Sequence, residues 1–333
     1  MAREAQASHE AQAVHGAEVT DDPVAPDTTD LARRATQVAP VAQGATDSTR
    51  AAMDRAQGAA DSARRAADSA RGDVLLVPGF TGSKEDYIGV LVPLAGRGWR
   101  VASMDLPGQG GFPGLGERGS HTLRSLADSV AAVADWFAPG RRVHLVGHSM
   151  GGLVTRELVL SDPERLASWV PMCSGPAAVA ASGHTKLLQL EAALAHFPMP
   201  LIWEQKEKLD RANGWDPPSQ EVADFCARRF IANDPVAMAD CAEILMTAPD
   251  LTDAAAAALA AADVPATVLT GEHDDEWPIE WQEQMAARLG APWRIVPGVA
   301  HNPATEDPEL TAAILDEIFT AAADRPARQH APE

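Results

Sequence analysis

The chain is predicted to fold as an α/β protein: a doubly wound, mostly parallel sheet interrupted by one long helical insertion. Three observations carry this expectation. From Asp73 onward, short apolar runs suited to buried strands alternate with longer helical patterns, the order a parallel sheet with crossover helices requires. One of these runs, Val143-His144-Leu145-Val146, passes straight into Gly147-His148-Ser149-Met150-Gly151, a strand that turns sharply into a helix. Between Cys173 and Val264 lie about ninety residues, far beyond a usual crossover.

Taken in order, the strand-like runs are 73–78, 100–105, 142–147, 168–173, 265–271 and 293–297. Helical patterns fall near 84–97, 120–138, 150–161, 278–289 and 307–323. The long stretch adds helical patterns around 184–196, 200–212, 219–231 and 235–247, punctuated by Pro198, Pro200, Pro217-Pro218 and Pro235. Proline lacks the amide hydrogen a helix interior needs, so these positions separate helices. After Asp105, the loop Leu106-Pro107-Gly108-Gln109-Gly110-Gly111 is expected to shape a tight turn.

Residues 1–72 are a different kind of polymer. They are rich in Ala, Asp, Thr, Gln and Arg, almost free of large apolar side chains, and cannot bury a core. Pro23, Pro26 and Pro40 break the first half, while Asp47, Asp54, Asp61 and Asp68 recur in a seven-residue register in the second. Alanine favours helix, but an alanine stripe buries little area. A disordered or loosely helical tail is expected there, with an oligomerising or docking helix as the alternative. Residues 324–333 are expected to form a disordered C-terminal tail.

Composition excludes several function classes. The net charge of −20 would repel nucleic acid and anionic membrane surfaces. No apolar run reaches the ~18 residues of a membrane span, and Met1–Gln6 lead into no apolar secretory segment. The three cysteines, Cys173, Cys226 and Cys241, are odd in number and far apart. They suggest a reducing compartment, with neither a disulfide framework nor a metal site. The expected location is cytoplasmic, with no nucleic-acid partner and no membrane span.

The chemistry gathers where strands end. In Gly147-His148-Ser149-Met150-Gly151 the turn strains the serine backbone and lifts its hydroxyl above the sheet edge, while the glycines leave room for neighbouring backbone. Upstream, Val74-Leu75-Leu76-Val77 opens into Pro78-Gly79-Phe80-Thr81-Gly82. Downstream, 265–271 leads into Glu272-His273-Asp274-Asp275, and 293–297 leads into Gly298-Val299-Ala300-His301-Asn302. These four pieces, in this order and with helices between them, resemble the α/β-hydrolase family of serine esterases and lipases over roughly residues 73–322.

The resemblance implies a role for each piece. Ser149 would be the nucleophile, and a serine hydroxyl needs a base to attack. His301 would be that base, since histidine can accept and return a proton near neutrality. Asp274 would orient His301 and stabilise its imidazolium. The Gly-x-x-Asp register favours Asp274, with Asp275 and then Glu272 as alternatives. Some relatives place the acid after the earlier strand, where this chain reads Met172-Cys173-Ser174-Gly175 without a carboxylate. The oxyanion donors would be the backbone N–H groups of Phe80 and Met150. Many relatives carry His-Gly where this chain has Pro78-Gly79, but the donor lies one residue later. His148 is expected to pack or orient, while His121, His144 and His273 have no comparable placement.

By the same resemblance, residues 73–175 and 263–323 form the hydrolase core and 176–262 a helical cap over the nucleophile. Leu187, Leu188, Leu190, Leu194, Phe197, Trp203 and Phe225 are expected to build the cap core rather than touch substrate. The two antiparallel strands with which the family usually begins are not visible before Val74. The implied activity is that of a serine hydrolase on a carboxylic ester or similar small acyl substrate with an apolar part. It proceeds through an acyl-enzyme without cofactor or metal. An acyltransferase, a thioesterase and a carbon–carbon bond hydrolase would use the same residues. A non-catalytic binding protein is the remaining alternative.

Overall fold

A computed structural model describes residues 69–325, apart from Asn213 and Pro218. The heptad aspartates Asp47, Asp54, Asp61 and Asp68 lie outside the described residues, as do residues 326–333 of the expected C-terminal tail. Arg71 already belongs to the folded part, stacking on Trp99 and pairing with Asp316 at 2.8 Å.

Six strands form one sheet: β1 (Asp73–Val77), β2 (Arg100–Ser103), β3 (Val143–His148), β4 (Leu166–Met172), β5 (Val268–Gly271) and β6 (Trp293–Val296). Their order is β2-β1-β3-β4-β5-β6, and every neighbouring pair is parallel. The chain steps outward from β1 to β2, then returns past β1 to β3 and continues the other way. The winding therefore reverses between β1 and β3, where crossovers leave in opposite directions and open a crevice at the strand ends.

Both faces of the sheet are covered, which explains the continuous apolar runs. Successive strand residues point to opposite faces. Leu75, Val77 and Leu145 join Leu126 and Val130 of α2 (Leu123–Phe137) and Leu153 and Val154 of α3 (Met150–Ser161). Val74, Leu76 and Val146 join Val90 and Leu94 of α1 (Ile88–Gly96) on the other face.

Five helices stand between β4 and β5: α4 (Ala181–His196), α5 (Met199–Ala212), α6 (Gln220–Ile231), α7 (Pro235–Thr247) and α8 (Thr252–Ala261). Met199, Ile202, Trp203, Phe230 and Met238 give this segment a small core of its own, against which Phe80 also packs. Helix α8 was not expected, because an almost unbroken alanine run shows no apolar–polar contrast. Its Ala255 and Leu259 enter the main core beside α3, so α8 serves as the crossover that leads into β5. The chain ends with α9 (Ile279–Leu289), the short α10 (Pro303–Glu306) and α11 (Pro308–Ala323), whose Ile314, Leu315 and Phe319 pack with α1. Among the described residues no single helix is long and apolar enough to cross a membrane.

Candidate active site

Ser149 sits between the end of β3 and the start of α3 with φ 55° and ψ −124°. A non-glycine residue at positive φ is strained by about 1–3 kcal/mol, and surrounding packing has to hold it there. Here the packing allows no side chains beside it. A Cβ on Gly147 would lie 2.4 Å from both the Gly151 carbonyl oxygen and Thr155 Oγ1, and one on Gly151 2.5 Å from the Pro78 carbonyl oxygen. The Ser149 N–H is tied to the Met172 carbonyl at 2.9 Å, fixing the turn to β4.

Two loops from the far side of the sheet reach this turn. His301, after β6, places Nε2 3.0 Å from Ser149 Oγ and Nδ1 2.8 Å from Asp274 Oδ1. With Nδ1–H donating to the carboxylate, Nε2 is left as an acceptor for the serine hydroxyl. Asp274 follows β5 and is buried, whereas Asp275 is exposed. Glu272 points elsewhere, its Oε2 accepting the Gly298 N–H at 2.7 Å. Thus Asp274, rather than either neighbour, faces the ring.

Asp274 is held on its other side as well. Its Oδ2 accepts the Gln282 Nε2–H at 2.8 Å, and Gln282 Oε1 accepts the Thr270 hydroxyl at 2.8 Å. Burial alone would raise the Asp274 pKa. The His301 hydrogen bond and charge, the Gln282 amide and the Glu276 N–H outweigh it and hold the carboxyl below its ordinary value. Gln282 is fully buried on α9 and escaped the sequence reading. A glutamine inside a helix bears no local mark of the carboxylate it serves.

His148, next to the serine, is buried, and its Nε2 lies 2.7 Å from the His301 carbonyl oxygen. Burial, followed by the nearby His301 charge, pushes its pKa down to about 3, so the ring is neutral and Nε2–H donates. Cys173 occupies the end of β4, where some relatives place the acid. Its thiol is buried, receives the Gly271 N–H at 3.3 Å, and is pushed well above its ordinary pKa by that burial.

The loop after β1 lies directly against the serine: a Cβ on Gly79 would be 2.8 Å from Ser149 Cβ. Among the described residues neither the Phe80 N–H nor the Met150 N–H donates to a protein acceptor. Met150 is the first residue of α3, so its N–H belongs to the unpaired, electropositive end of a twelve-residue helix. The Ser149 hydroxyl, the His301 ring and the Asp274 carboxylate thus come together beside the loop after β1 and the start of α3. Among the described residues no three His, Cys, Asp or Glu side chains converge to hold a metal ion.

A cavity of about 330 Å³ lies elsewhere. It is lined by Ser168, Leu259, Pro265 and Arg294, at or before the starts of β4, β5 and β6, and so at the opposite edge of the sheet.

Comparison with known proteins places this geometry in a family. The Alpha/beta hydrolase family model matches residues 74–314. A pimeloyl-[acyl-carrier protein] methyl ester esterase of Aeromonas hydrophila is 34% identical over 139 residues, covering 42% of this chain and 51% of the relative. The chain therefore spans about half the length of that protein. A thermophilic esterase from Thermogutta terrifontis superposes with a TM-score of 0.62 at 23% identity, covering 77% of this chain and 92% of its own. The enol-lactonase from Burkholderia xenovorans LB400 gives 0.60 at 17% identity, covering 75% and 91%. These structural likenesses speak to the fold, and the family match extends over most of the chain: the protein belongs to the α/β hydrolase family.

Proposed function

We propose that the protein is a serine hydrolase that cleaves a carboxylic ester or similar small acyl substrate through Ser149, His301 and Asp274. The observation that carries this reading is the unbroken run of hydrogen-bonding distances from Asp274 through His301 to Ser149. His301 Nε2 takes the hydroxyl proton as Ser149 Oγ bonds to the substrate carbonyl carbon. The carbonyl oxygen becomes an oxyanion, received by the N–H groups of Phe80 and Met150 at the positive end of α3. Collapse breaks the bond to the leaving alkoxide, which takes the proton back from His301. Water then gives a proton to His301 and attacks the acyl-enzyme. The acid departs as Ser149 regains its proton.

Helices α4–α7 act in this reading as a cap. Supporting this, Phe80 packs on the Trp203 and Phe230 cluster of that segment while Gly79, the residue before it, abuts Ser149. An apolar substrate portion suits this aromatic and aliphatic surround. Cys173, Cys226 and Cys241 are all unpaired, which supports action in the reducing cytoplasm.

Fluorophosphonate labelling tests the assignment. Ser149→Ala should lose both the label and hydrolysis of a graded series of p-nitrophenyl esters while keeping its melting temperature. Retained labelling at another serine would overturn it.

A further inference from the structure

The turn after β2, expected to shape a tight turn, also buries a glutamine against the loop that borders Ser149. Gln109 is almost fully buried and uses both ends of its amide. Its Nε2–H donates to the Gly79 carbonyl at 2.8 Å, and its Oε1 accepts the Leu106 N–H at 2.9 Å. Turning the amide over would set donor against donor and oxygen against oxygen, so this orientation is the one the site selects.

The Gly79 carbonyl belongs to the same peptide unit as the Phe80 N–H. In a trans peptide the two point in opposite directions, and the described chain contains no cis peptide. A donor that holds the carbonyl therefore sets the direction of the N–H. The loop needs such a hold. Gly79 and Gly82 close a turn at 3.2 Å, and within it Thr81 stands at φ 59°, a strained setting for a threonine. The Gln109 Nε2–H is a second donor on the Gly79 carbonyl, nearer than the Gly82 N–H, and rotation of the Gly79–Phe80 peptide unit would break both bonds and turn the Phe80 N–H away.

Gln109 is itself braced from behind by the insertion. The Gly110 N–H donates to Asn233 Oδ1 at 3.0 Å, the Gly111 N–H to the Ala232 carbonyl at 3.1 Å, and the Asp234 N–H to the Gly108 carbonyl at 2.8 Å. A Cβ on Gly108 would come within 2.2 Å of Ala237 Cβ, so the turn and the start of α7 are in close contact.

We propose that Gln109 is a positioning residue of the oxyanion hole: by holding the Gly79 carbonyl it aims the Phe80 N–H, and it passes the packing of α7 to that donor. The inference rests on Phe80 being an oxyanion donor, as read above. Gln109 touches no reacting atom. Its loss should therefore weaken transition-state binding while leaving ground-state binding intact.

Two variants and one resonance test this. At pH 8, Gln109→Glu keeps the shape but removes the donor, and Gln109→Leu removes both polar ends. Each should lower kcat for a p-nitrophenyl ester about 10- to 100-fold, with KM within about twofold. Affinity for a trifluoromethyl ketone, which forms a tetrahedral adduct on serine, should fall by the same factor as kcat/KM. In protein labelled with 15N-phenylalanine, which has seven phenylalanines, the Phe80 amide is identified by its loss in Phe80→Leu. That amide should shift on adduct formation in the wild type and fail to shift in either variant. No shift in the wild type would overturn Phe80 as donor. A wild-type shift that persists in a folded Gln109 variant with kcat within twofold would overturn Gln109 alone. A loss of activity carried by KM, in step with a fall in melting temperature, would mean Gln109 is merely structural.

Discussion

His148 donates its Nε2–H to the backbone carbonyl of His301 at 2.7 Å, so the residue beside Ser149 grips the loop that carries His301. The two rings lie 5.0 Å apart between centroids. Ser149 and His301 follow strands separated by two others in the sheet, and this bond ties the two loops directly together. Burial keeps the His148 ring neutral, and its bond to a carbonyl oxygen, which can only accept, places the remaining ring proton on Nε2.

Asp274 and Asp275 are neighbours with opposite surroundings, one buried against His301 and the other exposed. Asp274→Asn would replace an acceptor with an amide able to donate, favouring the wrong histidine tautomer. Turnover should fall by roughly three to four orders of magnitude, while Asp275→Asn should cost less than about tenfold. Steady-state kinetics with one activated ester compares them. The reverse ranking would move the acid to Asp275.

Gln282 supplies the second bond to the Asp274 carboxylate. Gln282→Leu removes a bond to a charged acceptor, worth about 1.5 kcal/mol, and should lower kcat about tenfold. Gln282→Glu should be worse, since a second carboxylate beside Asp274 drives its pKa up and weakens its hold on the imidazolium. If the glutamate variant is as active as wild type, Gln282 does not act through Asp274.

Acid sensitivity should come partly from His144, far from the site. Its Nδ1 lies 2.8 Å from Ser168 Oγ, and burial, then the Arg71 charge, pushes its pKa down to about 4. The unfolded chain takes up this proton near pH 6.5, the folded chain only near 4. The stabilisation is therefore complete above about pH 6.5 and is lost as pH falls toward 4, by about 1.4 kcal/mol per pH unit. Urea unfolding between pH 7 and 4.5 should show this slope flattened by that amount in His144→Gln. An unchanged slope would mean the folded histidine already carries its proton.

Arg156, buried on α3, fastens both flanks of the insertion. Its Nη1 donates to the Pro176 carbonyl at 2.5 Å and its Nη2 to the Pro249 carbonyl at 2.9 Å. Arg156→Met leaves two carbonyls without these donors and should cost about 2 kcal/mol of stability. Limited proteolysis followed by mass spectrometry should find new cleavage concentrated between residues 176 and 249. Cleavage spread evenly over the chain would show that the arginine supports the whole domain instead.

The fold was legible because its causes are local. Strands buried on both faces must be apolar throughout, and helices that cover them must carry an apolar stripe, so Val74–Val77 and Val143–Val146 announce themselves. Helix α8 was hidden because alanine fills it almost uniformly. Ser149, Asp274 and His301 could be singled out since each stands in a short turn just after a strand, and a parallel sheet brings all such turns to one edge.

The sequence by itself thus determined the alternation of strands and helices along the chain, the strained serine turn and a short set of candidate partners. The register favoured Asp274 over Asp275 and Glu272, but only tertiary structure brings it against His301 and decides what stands behind it. Gln282, Gln109, Arg156 and the His148 carbonyl bond act on residues 8 to 153 positions away. The physical reason is that a hydrogen bond depends on direction as well as distance. Direction at such separations is set by packing of whole elements, which no local pattern of residues encodes.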